Sequence, residues 1–198
     1  MITRLILIRH GQTEWNLNKR YCGHTDIGLN LKGRRQAKKL RGRLKGERVD
    51  KIYTSDLKRA VESAMILFPR GKIQKKAGLR EIHFGIFEGM THKQILKNLG
   101  APYKKWLKDP YKNHAPGGEK LSEFKKRVVK AFQNIVCSNL NKNIAVVCHG
   151  GVISVFITHI LKRKNFWEHI PKSASVSVIE YKNGKPRVDL FNNMIYLG

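Results

Sequence analysis

Two histidines in this sequence each follow an apolar segment and each precede a glycine. His10 comes after Arg9 and the run 5–8, and His149 comes directly after the run 143–148. Apolar runs of this length are typical of strands buried on both faces of a parallel sheet. Ligands bind at the carboxyl ends of strands in such sheets, so both imidazoles are expected at one edge. Their shared position, with an arginine beside one of them, favours a functional site over two structural histidines.

The elements that must position these side chains alternate between strand and helix. Strands are expected at 5–8, 49–54, 72–76 and 143–148, followed by a hairpin of 175–182 and 185–191 around Asn183-Gly184. Helices are expected at 31–45, 56–68, 122–136 and 152–161. The alternation predicts an α/β fold, as a three-layer α/β/α sandwich with a mostly parallel sheet.

Two serines are expected to cap helices in this scheme. Ser55 precedes the helix that contains Arg59, and Ser122 precedes the most regular amphipathic pattern of the chain. With Ser55 as the cap, Arg59 lies in a first helical turn, where the helix dipole favours anions.

The chain of 198 residues is predicted to form a single domain, 1–198, with a lid insertion at about 78–118. The insertion is irregular and too long for an ordinary loop, and short helices are expected near 91–99 and 103–108. It is therefore expected to be a helical lid.

Charge and composition exclude several classes of protein. Forty Lys and Arg against 14 Asp and Glu give a net charge of +26, which attracts anions, including phosphorylated metabolites and nucleic acid. The basic residues are spread along the chain, and no helix-turn-helix, RNP or zinc pattern occurs, so nucleic acid is not the expected partner. The sequence has no run of about 18 apolar residues, so no membrane span is predicted. The lack of a signal-peptide pattern, and three cysteines without a C-x-x-C pair, predict a cytoplasmic protein with reduced thiols.

Residues 9–16, RHGQTEWN, resemble the R-H-G-[EQ]-T-x-x-N signature of the histidine phosphatase superfamily, which includes the cofactor-dependent phosphoglycerate mutases. Four further segments are similar to family patterns and follow in order, at 29–37, 53–60, 79–85 and 147–151. Five ordered motifs make the resemblance specific, and it extends from residue 5 to about 180.

The resemblance implies a phosphate site with a histidine nucleophile. Arg9, Arg59, Asn16 and Gly150 match the positions that bind phosphate in the family, and guanidinium groups suit phosphate oxygens. His10 matches the histidine that attacks phosphorus and carries the phosphoryl group as phosphohistidine. The other ring nitrogen of His10 is then expected to donate its proton to a backbone carbonyl.

Two further groups would move protons or stabilise charge. His149 matches the second pocket histidine, which is expected to be protonated beside phosphate and to donate to the equatorial oxygens. Glu81 matches the proton donor to the leaving alcohol, and the same carboxylate would then activate water. No metal or cofactor is expected, because the sequence has no P-loop or dinucleotide fingerprint and its other histidines lack ligand spacing.

The segments after Glu81 separate the activities of the family. Residues 84–91, FGIFEGMT, resemble the phosphatase pattern F-G-x-[WF]-E-G-x-[TS], and 106–110 and 115–121 are similar to stretches of broad-specificity and alpha-ribazole phosphatases. The sequence has no longer basic insertion of the glycolytic mutase type. The resemblance implies a metal-independent phosphomonoesterase of a small phosphorylated metabolite, with alpha-ribazole 5′-phosphate of cobalamin biosynthesis as the first candidate.

Three alternatives stay open at this point. They are a phosphoglycerate mutase, a phosphatase of phosphoserine or sugar phosphates, and a non-catalytic basic protein that binds anions or nucleic acid. The expected partner is a small phosphorylated metabolite, and a homodimer is compatible with the resemblance.

Overall fold

A computed structural model describes residues 2–194 of the protein, in which strands and helices alternate as expected. The strands are β1 (Ile2–Arg9), β2 (Lys51–Thr54), β3 (Ile73–Lys75), β4 (Asn143–Cys148), β5 (Val176–Lys182) and β6 (Lys185–Asn193). The α-helices are α1 (Glu14–Leu17), α2 (Leu31–Arg43), α3 (Lys58–Leu67), α4 (His92–Asn98), α5 (Gly100–Lys108), α6 (Leu121–Cys137) and α7 (Gly150–Ile160).

The six strands form one sheet in the order β3-β2-β4-β1-β5-β6. Neighbours among β1 to β4 pair in parallel, whereas β5 runs antiparallel to both β1 and β6. Asn183 and Gly184 connect β5 to β6 with positive φ angles of 51° and 75°, as the tight hairpin requires. The predicted α/β fold with a mostly parallel sheet is confirmed.

Strand β1 is apolar on both faces because helices cover both faces of the sheet. Leu5 and Leu7 belong to a core shared with α6 and α7, whereas Ile6 and Ile8 belong to a second core with α2 and α3. Side chains alternate between the faces of a strand, so a continuous apolar run is the pattern such a central strand needs. The two cores give the three layers.

The segment 78–118 contains α4 and α5 and has a small apolar cluster of its own. Its buried members are Phe87, Ile95, Tyr103, Trp106 and Ala115. The cluster is separate from the two main cores, whereas Leu79 and Ile82 of the same segment belong to the core shared with α6 and α7.

Neither serine that was expected to cap a helix does so. Helix α3 begins at Lys58 with Leu57 as its N-cap, because Ser55 is still bonded to β4 through its amide and Val147 O, 3.0 Å apart. The Ser55 hydroxyl accepts from Leu57 N instead. Helix α6 begins one residue before Ser122, and its N-cap, Lys120, makes no side-chain capping bond.

The packing of α6 on α7 generates the first prediction. The rings of Phe132 and Phe156 are stacked 3.9 Å apart at 12°, and Phe132 is fully buried. Phe132→Ala is expected to lower the free energy of unfolding by about 3–5 kcal/mol, since it removes apolar contacts and leaves a cavity. Urea titration measures this change. The control, Met65→Ala at a position that is 58% exposed, is expected to change it by less than about 0.5 kcal/mol; similar small losses in both variants would contradict the prediction.

Candidate active site

The ends of two paired strands bring the predicted histidines together. Arg9, the last residue of β1, is in register with Cys148, the last residue of β4, so His10 and His149 follow side by side. Their ring centroids are 5.1 Å apart with the rings inclined at 63°. The amide of His10 donates to Cys148 O at 3.0 Å, which extends the ladder by one bond and fixes the first histidine against β4.

The orientation of the His10 ring is set by its own backbone. Nδ1 lies 2.7 Å from Gly11 O, so in the neutral ring it carries the proton and donates it to that carbonyl. This is the backbone acceptor expected from the sequence. The unprotonated nitrogen is then Nε2, whose lone pair is available to an electrophile.

A close approach of two backbones holds the segment after His10. A Cβ atom on Gly11 would lie 2.5 Å from Gly33 O, inside contact distance, so glycine is required where this loop crosses helix α2. Gly33 likewise lies against the backbone of Gln12. The amide of Gly11 donates to the Ser63 hydroxyl at 3.1 Å, which links the loop to α3.

Arg59 lies beneath the two histidines with none of its surface exposed. Its Nη2 donates to Gly23 O at 2.7 Å and its Nη1 donates to Thr25 O at 3.0 Å. Its Nε donates to Nδ1 of His149 at 3.2 Å. Because Nδ1 accepts this bond, the proton of neutral His149 is carried by Nε2.

Arg9 completes the cationic wall of the site. Its Nη1 donates to Pro171 O at 2.6 Å, and a Cβ atom on Gly150 would lie 3.1 Å from its Cζ. Gly150 therefore lets the guanidinium lie against the first turn of α7. Among residues 2–194, Arg9 Nε and His149 Nε2 are two of four buried side-chain polar atoms without a hydrogen-bond partner. An unsatisfied buried donor costs about 1–3 kcal/mol, so both atoms favour an acceptor brought by a ligand.

Glu81 is buried beside the first turn of α7. Its Oε2 accepts from Gly151 N at 2.8 Å and its Oε1 accepts from Ile82 N at 3.0 Å. Burial raises the pKa of Glu81, while these two amides and the charges of Arg59 and Arg9 lower it by less. The carboxyl group therefore holds its proton at higher pH than an exposed glutamate does.

Both histidines of this site are neutral. Burial lowers the pKa of His10 and of His149 well below the usual value, and the charges of Arg59 and Arg9 lower both further. For His10 this agrees with a neutral ring nitrogen. For His149 the expected positive charge refers to the ring beside a bound phosphate, which would offset the desolvation and the two guanidinium groups, and it stays a prediction.

Asn16 is the predicted site residue with the least direct connection to this cluster. The side-chain oxygen Oδ1 of Asn16 accepts from Thr13 N at 3.1 Å. The backbone N–H of Asn16 donates to Thr13 Oγ1, and the two bonds form a capping box at the start of α1. The carbonyl end of the side chain is therefore occupied, and the amide nitrogen is the end that can donate to a ligand.

Sequence patterns did not indicate several of the contacting groups. The carbonyls of Gly23, Thr25 and Pro171 hold the two arginines, yet every residue has such a carbonyl and no residue type marks it. His24, whose Nε2 lies 3.0 Å from Glu81 O, is a further contacting group. Its distance in sequence from Glu81 gives no signal of the contact.

Further properties of the described residues concern metal clusters, membrane-spanning helices, disulfides and other cavities. Residues 2–194 contain no group of three or more His, Cys, Asp or Glu side chains placed to hold a metal ion. No helix in this part of the chain is long and apolar enough to cross a membrane. Cys22, Cys137 and Cys148 are all unpaired thiols. A cavity of about 1010 Å³ lies at the opposite edge of the sheet, near Thr3 and the hairpin, and none of the predicted site residues lines it.

A family model agrees with this site. The model described as "Histidine phosphatase superfamily (branch 1)" matches residues 5–194, almost the whole chain. The chain belongs to the histidine phosphatase superfamily. The resemblance of the five motifs is confirmed, and the match includes both histidine motifs and the glutamate segment between them.

Individual relatives of this histidine phosphatase point the same way. The chain is 34% identical to a broad-specificity phosphatase of Saccharomyces cerevisiae, over 91% of the chain and 80% of the relative. It is 29% identical to phosphoserine phosphatase 1 of Hydrogenobacter thermophilus, over 100% of the chain and 95% of that protein. The crystal structure of the alpha-ribazole phosphatase from Shigella flexneri superposes with a TM-score of 0.89 at 26% identity, covering 96% of each chain. The protein is a phosphatase, a phosphoric monoester hydrolase of this superfamily.

The neutral buried histidines generate a prediction about acid stability. Below pH about 6.5 the unfolded chain binds protons that buried His10 and His149 do not, so the free energy of unfolding falls as pH falls through this range, by up to ~1.4 kcal/mol per pH unit for each histidine. His149→Gln is expected to make the fall less steep, measured by urea titration between pH 7 and 5. Glu81, whose pKa is raised, acts in the opposite direction in both proteins.

His114→Gln is the matched control, because His114 is exposed and the substitution leaves both buried imidazoles in place. Its slope is expected to equal that of the unmodified protein. Equal slopes for the unmodified protein and His149→Gln would contradict the prediction.

Proposed function

We propose that this histidine phosphatase is a metal-independent phosphomonoesterase that hydrolyses a small phosphorylated metabolite through a phosphohistidine on His10. The observation that carries the proposal is the set of donors around His10 Nε2 that lack an anionic partner. Arg9 Nε and His149 Nε2 are buried without an acceptor, and the charge of Arg59 lies directly behind them. A phosphate dianion supplies the missing acceptors and the missing negative charge.

In the first step, the lone pair of His10 Nε2 attacks phosphorus while the bond from phosphorus to the ester oxygen breaks. The electron pair of that bond goes to the leaving oxygen, which takes the proton of Glu81. Gly11 O keeps the proton on His10 Nδ1 throughout. The raised pKa of Glu81 supports this role, since the carboxyl group must hold a proton before it can donate one.

In the second step, the Glu81 carboxylate takes a proton from water and the hydroxide attacks the phosphorus. The bond between phosphorus and His10 breaks, its electron pair returns to Nε2, and inorganic phosphate leaves. Arg9, Arg59 and His149 Nε2 would donate to the equatorial oxygens in both steps, where the charge concentrates. Asn16 would add a donor from its side-chain amide.

The substrate we propose first is alpha-ribazole 5′-phosphate. The support is the likeness of segments 106–110 and 115–121 to broad-specificity and alpha-ribazole phosphatases, and the close superposition on an alpha-ribazole phosphatase over nearly the whole chain. Phosphoserine is the second candidate, because the similarity to a phosphoserine phosphatase extends over the full chain. A cytoplasmic location and a homodimer stay predictions of the sequence.

A panel of phosphorylated metabolites at fixed ionic strength tests the substrate. It contains alpha-ribazole 5′-phosphate, phosphoserine, 3-phosphoglycerate and sugar phosphates, and phosphate release is compared as kcat/KM. The highest value for alpha-ribazole 5′-phosphate is expected. A higher kcat/KM for phosphoserine would make phosphoserine the substrate in place of alpha-ribazole 5′-phosphate. Formation of 2-phosphoglycerate from 3-phosphoglycerate without phosphate release would identify a mutase. Retention on DNA with a steep salt dependence, without any turnover, would identify a nucleic-acid-binding protein.

The covalent step predicts a labelled histidine. Mixing with substrate for milliseconds in buffer that contains EDTA is expected to leave an acid-labile, base-stable phosphoryl group on His10. His10→Ala is expected to lower kcat by at least ~10³-fold, because removal of the nucleophile closes the covalent route. Label on another residue, or label that appears only after Mg²⁺ or Zn²⁺ is added, would overturn the mechanism.

The proton transfer predicts a dependence on the leaving group. Glu81→Gln keeps the size of the side chain and removes the transferable proton. Phosphorylation of His10 in a single turnover is expected to slow by about 10²-fold more with an alkyl phosphate than with p-nitrophenyl phosphate, whose phenolate leaves without a proton. Equal losses with both substrates would assign Glu81 to binding, and Glu14 and His83 would be examined next as proton donors.

A further inference from the structure

The guanidinium of Arg127, on helix α6, uses all five of its N–H groups in hydrogen bonds. Two are donated to the Glu119 carboxylate, from Nε to Oε1 at 2.9 Å and from Nη2 to Oε2 at 2.7 Å. The other three reach main-chain carbonyls: Nη1 donates to Gly78 O at 3.1 Å and Arg80 O at 2.9 Å, and Nη2 donates to Glu81 O at 3.3 Å. The side chain of Arg127 therefore holds the backbone of residues 78–81 by hydrogen bonds.

The backbone after Glu81 also depends on side chains for its hydrogen bonds. The amides of Ile82, His83 and Phe84 donate to carboxylate oxygens, which belong to Glu81, Glu119 and Glu88 respectively. This segment lies between β3 and α4, outside the strands and α-helices of residues 2–194. Two backbone bonds also hold it, since Phe87 N donates to Phe84 O and Glu119 N donates to His83 O. Its conformation is therefore set in part by the side chains that surround it.

Glu119 holds the same segment from the opposite side. Its amide donates to His83 O at 2.9 Å, and its Oε2 lies 3.4 Å from His83 N. The Phe124 ring packs on the guanidinium, with 5.1 Å between its centroid and Arg127 Cζ. The Arg127 guanidinium is thus itself held between an aromatic face and a carboxylate, which fixes its orientation toward the backbone carbonyls.

We propose that Arg127, paired with Glu119, is a positioning residue that fixes the Glu81 carboxyl group at the leaving oxygen of the substrate. The inference rests on the proposed role of Glu81 as proton donor. The Glu81 side chain is held by only two amides, of Ile82 and Gly151, so the location of its backbone decides whether the carboxyl group reaches the leaving oxygen. Arg127 itself donates to Glu119 and three backbone carbonyls, and acts on the reaction through Glu81.

Lysine cannot replace this arrangement. Its ammonium group keeps the charge but offers three donors from a single nitrogen, whereas the planar guanidinium serves five acceptors from fixed directions. Arg127→Lys therefore keeps the positive charge of the side chain and removes the five-bond hydrogen-bonding geometry of the guanidinium. A displacement of about 1 Å in a reacting group can lower the rate by about 10²-fold, which sets the size of the expected effect.

The test follows phosphorylation of His10 in single turnovers, with rates normalised to the fraction of protein that becomes phosphorylated. Arg127→Lys is expected to slow the reaction of an alkyl phosphate by about 10²-fold and that of p-nitrophenyl phosphate by less than about threefold. Glu119→Gln is expected to give the same contrast at smaller amplitude, and it decides the question if Arg127→Lys does not fold. The matched control is Arg4→Lys, which alters the Arg4–Glu47 pair at the far end of β1 and is expected to leave both rates unchanged.

A double mutant cycle completes the test. In the Glu81→Gln background, Arg127→Lys is expected to cause no further loss with the alkyl phosphate, because its effect passes through the missing proton. Equal slowing of both substrates by Arg127→Lys, while Glu81→Gln stays selective, would overturn this inference alone. Equal slowing of both substrates by Glu81→Gln would overturn the proton-donor role and this inference with it.

Discussion

A buried guanidinium with no carboxylate against it determines the character of the site. Among the described lysines and arginines, Arg59 alone is fully buried, and no ion pair within 4 Å joins it or Arg9 to an acid. Burial of an unpaired charge costs several kcal/mol, and two carbonyls and an imidazole nitrogen offset part of that cost for Arg59. Burial, and after it the charges of Arg59 and Arg9, lowers the pKa of His10 and of His149, and the same charges oppose the rise that burial causes in the pKa of Glu81. The dianionic substrate that we propose would offset this positive charge.

The fold meets this requirement by placing backbone rather than acids around the site. The parallel register of β1 and β4 delivers two imidazoles at once, since both strands end at the same level. Glycines at 11 and 150 then let the chain pass close to α2 and to Arg9, where a side chain would not fit. The amide of Gly151, at the start of α7, holds the Glu81 carboxyl group in the site.

The sequence predicted the parts of the site that lie at the ends of regular elements. Apolar runs located the strands, and the positions of His10 and His149 followed from them. The helix starts at Ser55 and Ser122 were wrong, because serine favours a cap locally while the sheet bond from Ser55 and the packing of Leu121 decide the boundary. The lowered pKa of His149 has no signal in the sequence, since desolvation depends on which groups surround a residue in space. Arg127 looks like any basic residue of a surface helix until its five acceptors, which come from distant segments, are in place.

The order of the strands has a consequence for biosynthesis. Of the described strands, β1 is made first, yet its two neighbours in the sheet, β4 and β5, are made more than 130 residues later. Until about residue 148 has left the ribosome β1 has neither of its hydrogen-bonding partners, and until about residue 182 it has β4 alone. Long-range pairing of this kind slows folding and leaves unpaired, aggregation-prone strand edges in the nascent chain. The net charge of +26 opposes association of such intermediates, because like-charged chains repel one another.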